Sequence, residues 1–213
     1  MEFLINEQIP ESLWNLLIAK NPFASPFQSL EYYKFYNSVP GYSSVATSIV
    51  NSNKISALAV ISLQQEKGIK GYFSRRAIIY GGPLINSEDE KCLDKLLSEI
   101  NNLFSRKVIY IETRNYFDYE KYKSTFENSG WKYQPYLNYR LYCSEMEDIW
   151  KRLNNNRKRQ IKKALSSGAC YREPDSLLEV DTLYSILKDL YKTKIKKPLP
   201  NKEFFYSLYN KGL

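Results

Sequence analysis

The sequence predicts an α+β fold over residues 1–143, a single mixed sheet with helices on both faces. Two observations carry that expectation. Strand-type and helix-type segments alternate in the order β-α-α-β-β-β-α-β-α-β. Two capping boxes, Ser87 with Glu90 and Ser144 with Glu147, mark where helices begin.

Phe3-Leu4-Ile5 is a short apolar opening strand, and Pro10 starts a helix whose Leu13, Leu16 and Leu17 keep helical spacing. Asn21-Pro22 breaks it. Ser29 caps a second helix to Asn37, stopped by Val39-Pro40-Gly41. Ser44 to Val50 is rich in β-branched residues, Asn51-Ser52-Asn53 is a turn, and Ile55 to Leu63 reads as a buried partner strand. After the Lys67-Gly68 turn, a third strand spans Tyr72 to Tyr80 and ends at Gly81-Gly82-Pro83. The helix opened by Ser87 has one apolar face of Leu93, Leu96, Leu97, Ile100 and Leu103 or Phe104. Val108 to Ile111 is a buried-type strand, Tyr119 to Asn128 a helix ended by Gly130, and Trp131 to Tyr142 one long or two short strands. This order resembles the GNAT acyltransferase fold, a mixed sheet splayed at its centre.

Composition narrows the chemistry. Of the 213 residues 43% are hydrophobic and 25% charged, which fits a globular chain. Histidine is absent, so Ser-His and Cys-His nucleophile systems, imidazole metal ligands and histidine bases are all excluded within this stretch. Cys92, Cys143 and Cys170 form no CxxC pair, and no metal site is expected. No apolar run approaches the roughly 20 residues of a membrane span, and Met1 to Asn6 lacks a basic leader, so a cytoplasmic protein is expected. The net charge of +8 makes polyanions plausible partners.

Beyond Cys143 the character changes. A helix through Trp150 and Leu153 gives way at Asn154-Asn155-Asn156 to a basic helix, Arg157 to Ser166, stopped by Gly168. Ala169 to Glu173 is short and extended. Leu177 to Lys192 is a helix with Leu183, Ile186, Leu187 and Leu190 on one face, and Asn201 caps a last helix, Lys202 to Asn210. This ending echoes the beginning: Ser29-Leu30-Glu31-Tyr32-Tyr33 answers Asn201-Lys202-Glu203-Phe204-Phe205. The expected domains are a lobe at 1–143, a basic connector at 144–168, and the start of a second lobe at 169–213. On this expectation the second sheet is missing, the chain alone is inactive, and its last helices must be covered by the first lobe, covered by self-association with another copy, or left mobile.

Four collinear segments carry a family resemblance. Trp150 to Gly168 contains an apolar helix, a polar break, an arginine, Ile161-Lys162-Lys163-Ala164 and a helix-ending glycine. Leu183 to Lys192 is followed by Pro198-x-Pro200-x-x-x-Phe204-Phe205-x-x-Leu208; Pro26 to Lys34 reads PFQSLEYYK; Arg76 to Pro83 is a strand ending in Gly-Pro. Together they resemble the Fem family (FemABX) of peptidoglycan aminoacyl transferases, with the spacing after Pro200 one residue longer than in the family.

The resemblance implies transfer of an amino acid from aminoacyl-tRNA to the amine of a peptidoglycan-precursor peptide. That chemistry suits a histidine-free chain, because an ester already activated and an amine already nucleophilic need alignment and oxyanion stabilisation. By the resemblance, Lys34 falls near a lysine that relatives place on the precursor's phosphates; its spacing equally suits a solvated helix face. Ile109 and Arg114 stand where relatives with a known precursor site carry Tyr and Asp. Lys151, Arg152, Arg157, Lys158, Arg159, Lys162 and Lys163 enclose no acidic residue and would hold tRNA phosphates or a precursor pyrophosphate, or form the solvated face of a helix packed through Ile161 and Leu165. Arg75 and Arg76 would add to this cluster only if the fold brings them near. The tyrosines read mainly as half-buried packing. Gly81-Gly82-Pro83 lacks the spacing of a CoA pyrophosphate loop and its proline removes a donor, so no CoA is expected there and no cofactor is assigned. Catalytic residues are not identified. The alternative functions are acyl-CoA-dependent transfer to a polysaccharide or lipid precursor, and a non-catalytic binding module.

Overall fold

The computed structural model describes residues 1–65, 68, 70–86, 90–139 and 143–211. The chain divides into two compact units, Met1–Gln134 and Pro135–Leu213.

In the first unit one sheet runs in the order β1 (Glu2–Ile5), β2 (Ser43–Asn51), β3 (Lys54–Gln64), β4 (Arg76–Gly81), β6 (Ile111–Asn115), with β5 (Leu84–Ile85) also paired to β3. All neighbours are antiparallel except β4 and β6, which are parallel from Ala77 opposite Ile111 to Gly81 opposite Asn115. The sheet is therefore mixed, as expected. Ser52 and Asn53, at φ +48° and +58°, turn β2 into β3; two left-handed residues match the twist of a tight hairpin.

Strand β3 explains the two-layer cover. Ala57, Ala59, Ile61 and Leu63 face α4 (Glu90–Phe104), meeting Cys92, Leu96, Ile100 and Phe104. Leu58 and Val60 face the other way, onto Trp14 and Leu17 of α1 (Glu11–Lys20) and Leu30 and Tyr33 of α2 (Leu30–Ser38). The bulge at Ile49/Val50 shifts parity by one, so Ile55 joins Leu58 on that face. Leu93 and Leu97, one position round α4 from the sheet-facing set, pack against Tyr119, Tyr122 and Phe126 at α5 (Lys123–Asn128). Ser29 caps α2 by accepting from the Tyr32 N–H at 3.1 Å.

Several local expectations are corrected. Residues 72–74 of the third strand expected at Tyr72–Tyr80 lie instead in a short helix, α3 (Lys70–Ser74), and only Arg76–Gly81 is strand. The strand expected at Val108–Ile111 begins at Ile111, although the chain before it already bonds beside β4: the Ile109 N–H donates to the Arg75 carbonyl at 2.8 Å and the Tyr110 carbonyl accepts from the Ala77 N–H at 3.1 Å; Ile109 is 59% exposed. Trp131 to Tyr139 forms no strand, and residues 140–142 lie outside those described. In α1, Trp14 rather than Leu16 is buried, Leu16 being 47% exposed. The Ser87 capping box lies outside the described residues.

The second unit is helical among its described residues: α6 (Met146–Arg152), α7 (Asn155–Ser166), α8 (Leu177–Leu190), a π turn at Tyr191–Ile195 and α9 (Lys202–Lys211). Asn154 caps α7 by accepting from the Arg157 N–H at 2.8 Å, and Asn201 caps α9 through the Phe204 N–H at 3.1 Å. The Ser144 box is not formed; Glu145 precedes α6 without a side-chain cap. No strand forms at 169–173, where Arg172 instead bridges Asp175 and Glu179 beside the start of α8. Helices α8 and α9 are tied by Lys202 to Asp181 at 2.6 Å, by the Tyr206 hydroxyl donating to Asp181, and by Tyr184 against Phe205. Cys92 is buried, whereas Cys143 and Cys170 are exposed, and none of the three is in a disulfide.

Candidate functional site

The parallel pair β4–β6 ends at a cluster of phenols that sequence spacing did not single out. Tyr80 and Arg76 on β4, Glu112 and Arg114 on β6, and Ser62 and Gln64 on β3 share the sheet face that α2 covers, by strand alternation and register. Tyr32 and Tyr36, four residues apart on α2, lean over this face with rings 5.4 Å apart. Phe27, from the 3-10 turn Pro26–Gln28, sits between Tyr32, Tyr80 and Tyr116 at 5.2, 5.6 and 5.8 Å.

Polar contacts orient these rings. The Arg76 Nε–H donates to Gln64 Oε1 at 3.3 Å, which turns the Gln64 amide nitrogen toward Tyr80, where it donates to the hydroxyl at 2.8 Å. With its oxygen occupied as an acceptor, Tyr80 keeps its own proton to donate elsewhere. The Arg114 guanidinium lies 5.3 Å from the Tyr80 ring centroid and chelates Glu112 at 2.8 and 3.4 Å. The Tyr32 hydroxyl lies 3.3 Å from Ser62 Oγ. Burial pushes the Tyr32 phenol up to about 12. Burial, with the neighbouring phenols, also raises Tyr36, and burial raises Tyr116. The Glu112 hydrogen bond raises Arg114 further. The face thus offers hydroxyl donors, stacked rings and the paired Arg114 guanidinium and Glu112 carboxylate. It can hold a ring or carbonyl-bearing ligand by stacking and hydrogen bonding.

Next to it, Gly81-Gly82-Pro83 breaks the strand and is filled by the protein itself. Gln28, 0% exposed, donates to the Gly82 carbonyl at 3.0 Å and accepts from the Ser25 N–H at 2.8 Å. Its own carbonyl receives the Trp14 indole N–H at 2.8 Å, and Tyr119 donates to the Pro83 carbonyl at 2.7 Å. A Cβ on Gly81 would lie 2.4 Å from Gln28 Nε2, and one on Gly82 2.5 Å from Asn115 Oδ1.

The structure does not bring Lys34 to the phenols. Two residues from both Tyr32 and Tyr36, it lies on the opposite side of α2 at about 100° per residue, where its ammonium pairs with Glu11 at 2.6 Å. Arg75 and Arg76 belong to the first unit, Arg76 being engaged with Gln64.

In the second unit Lys151, Arg152, Arg157, Arg159, Lys162 and Lys163 are exposed and Lys158 is half-buried, its ammonium donating to the Lys151 carbonyl at 3.3 Å. Asp148 approaches Lys151 at 3.7 Å, and Arg157 donates to Gln160 at 2.9 Å. Ile161 is half-buried but Leu165 is 63% exposed, so α7 does not pack through both. Among the described residues no cluster of three His, Cys, Asp or Glu could hold a metal, and no helix is long and apolar enough to cross a membrane.

A mixed sheet with a parallel β4–β6 pair, covered by α1 and α2 on one face and α4 on the other, defines an α+β fold of GNAT type. Within that class the fold is Fem-like. A solved structure of FemX aligns over 99% of this chain with a TM-score of 0.63 and 11% identity. The chain spans 54% of that FemX chain, and at this identity the likeness is one of fold. A probable acetyltransferase (14% identity, TM-score 0.42) covers 68% of this chain and 99% of its own. Glucosamine-6-phosphate N-acetyltransferase from Arabidopsis thaliana (11% identity, TM-score 0.44) covers 67% of this chain and 99% of its own. No family model and no curated protein sequence matches the chain.

Proposed function

We propose that the protein takes part in Fem-like transfer of an aminoacyl group from aminoacyl-tRNA to an amine of a peptidoglycan-precursor peptide. The observation that carries this reading is the phenol-lined face at the carboxyl ends of β4 and β6, which has hydroxyl donors and the Arg114–Glu112 pair but no histidine. Such a face positions a reaction whose ester is already activated, and Tyr80 can donate to an oxygen of the bound acceptor. Arg114 supplies charge to the same ligand. Lys34 would exchange its exposed Glu11 partner, an ion pair worth no more than about 1 kcal/mol, for the precursor's phosphates. The 151–163 cluster would hold the tRNA backbone.

Acyl-CoA as donor fits less well. The glycine junction where a pyrophosphate would need open backbone N–H groups is packed by Gln28, Asn115 and Tyr119.

Calorimetric titration with a uridine-diphosphate-linked muropeptide tests the reading. Arg114→Ala should weaken binding by roughly 10- to 100-fold, the range for losing a hydrogen bond to a charged group, and Tyr80→Phe by less. Equal affinity in wild type and both variants, or tighter binding of acetyl-CoA than of the muropeptide, would overturn it.

A further inference from the structure

The protein's positive charge is concentrated in one unit. Residues 1–134 carry 15 Lys and Arg against 14 Asp and Glu, whereas residues 135–213 carry 16 against 9. The 151–163 cluster accounts for part of this surplus. Another part follows α8, where Lys192, Lys194, Lys196 and Lys197 occur with no acidic residue between Asp189 and Glu203. All four side chains are exposed. Among the described residues, none of the four makes an ion pair.

The backbone that presents them is irregular. After Leu190 the helix widens into the π turn Tyr191–Ile195, closed by the Lys196 N–H donating to the Tyr191 carbonyl at 2.7 Å. Lys196 then takes a left-handed conformation at φ +54°, which a residue with a Cβ adopts at a cost. Pro198 and Pro200 follow directly. The negative end of the helix dipole favours some positive charge here, but within one turn only, and Lys188 already answers it. Four unpaired like charges on a strained turn oppose folding. Strained residues and π turns cluster at functional sites.

We propose that Lys192, Lys194, Lys196 and Lys197 form a phosphate-binding surface for an RNA backbone, distinct from the 151–163 cluster; the choice of RNA rests on the tRNA reading above. Ammonium groups on flexible stems suit phosphate oxygens, giving affinity without base readout. A membrane surface would call for apolar side chains projecting beside the lysines. Within residues 191–197 the exposed aliphatic side chain is Ile195, at 39%.

Fluorescence anisotropy with labelled bulk tRNA between 50 and 200 mM KCl tests this. Each phosphate contact contributes about 0.7–0.9 to the slope of log affinity against log salt. Changing all four lysines to glutamine should therefore flatten the slope by about 3, and the double variant Lys194→Gln/Lys197→Gln, which leaves the left-handed residue untouched, by about 1.5. Arg157→Gln/Arg159→Gln/Lys163→Gln serves as the comparison. If that variant loses tRNA while both turn variants keep the wild-type slope, the turn proposal fails and the tRNA reading survives. If the wild type shows no salt-dependent tRNA binding, both fail. Turn-dependent binding to phosphatidylglycerol vesicles with no turn dependence for tRNA would overturn the choice of RNA.

Discussion

Replacing Gly82 by alanine should cost far more stability than the same change at Gly41, although both glycines have φ +83°. The backbone strain is common to the two, about 1–2 kcal/mol for a residue with a Cβ in the left-handed region. Their surroundings differ: a Cβ at Gly41 meets nothing within 4 Å, whereas at Gly82 it would lie 2.5 Å from Asn115 Oδ1 and 3.0 Å from the Tyr119 ring and hydroxyl. Those neighbours cannot withdraw freely, because Tyr119 is buried and donates to the Pro83 carbonyl at 2.7 Å. Overpacking of this kind adds about 1–3 kcal/mol. Gly41→Ala should thus cost about 1–2 kcal/mol and Gly82→Ala about 2–5 kcal/mol. Urea unfolding followed by tryptophan fluorescence measures both, since Trp14 and Trp131 lie in the first unit. Equal costs at the two positions would refute the claim that the junction is filled by the protein's own side chains.

Reversing Arg157, Arg159 and Lys163 to glutamate should abolish salt-sensitive tRNA binding while circular dichroism keeps its helical signal, because these side chains are exposed; retained binding counts against the cluster. Asn201→Ala should remove the α9 cap at about 0.5–2 kcal/mol, seen as faster amide exchange across Lys202–Lys211. Stability should also fall in strong alkali. Tyr32 is held up to about 12, whereas an unfolded tyrosine ionises near 10, so its contribution is intact below pH 10 and lost as pH rises from 10 towards 12. A Tyr32→Phe variant should flatten that decline in unfolding midpoint.

Features set by local chemistry were legible in the sequence. The caps at Ser29 and Asn201, the turn at Ser52-Asn53, and the α4 stripe through Leu93, Leu96, Leu97 and Ile100 all follow from neighbours within four residues. Features set by pairing were not. Strand β6 reads Ile111-Glu112-Thr113-Arg114-Asn115, a polar run, while the more apolar Val108-Ile109-Tyr110 before it drew the expectation. Its place comes from register against β4, which no local pattern encodes. The phenol face has the same origin: Tyr32 and Tyr36 keep ordinary helix spacing, and only the order β3-β4-β6 brings Gln64, Tyr80 and Arg114 beneath them. Lys34 was singled out by resemblance, yet its position on α2 turns it toward Glu11.

The chain within a polypeptide long enough to complete the second lobe, tRNA charged with radiolabelled amino acids, and a uridine-diphosphate-linked muropeptide bearing a free amine form the direct test of aminoacyl transfer. Label should enter the peptide, lost if ribonuclease is added before the reaction and retained if it is added after. Label that enters the peptide only from an acyl-CoA donor, with none from charged tRNA, would contradict it.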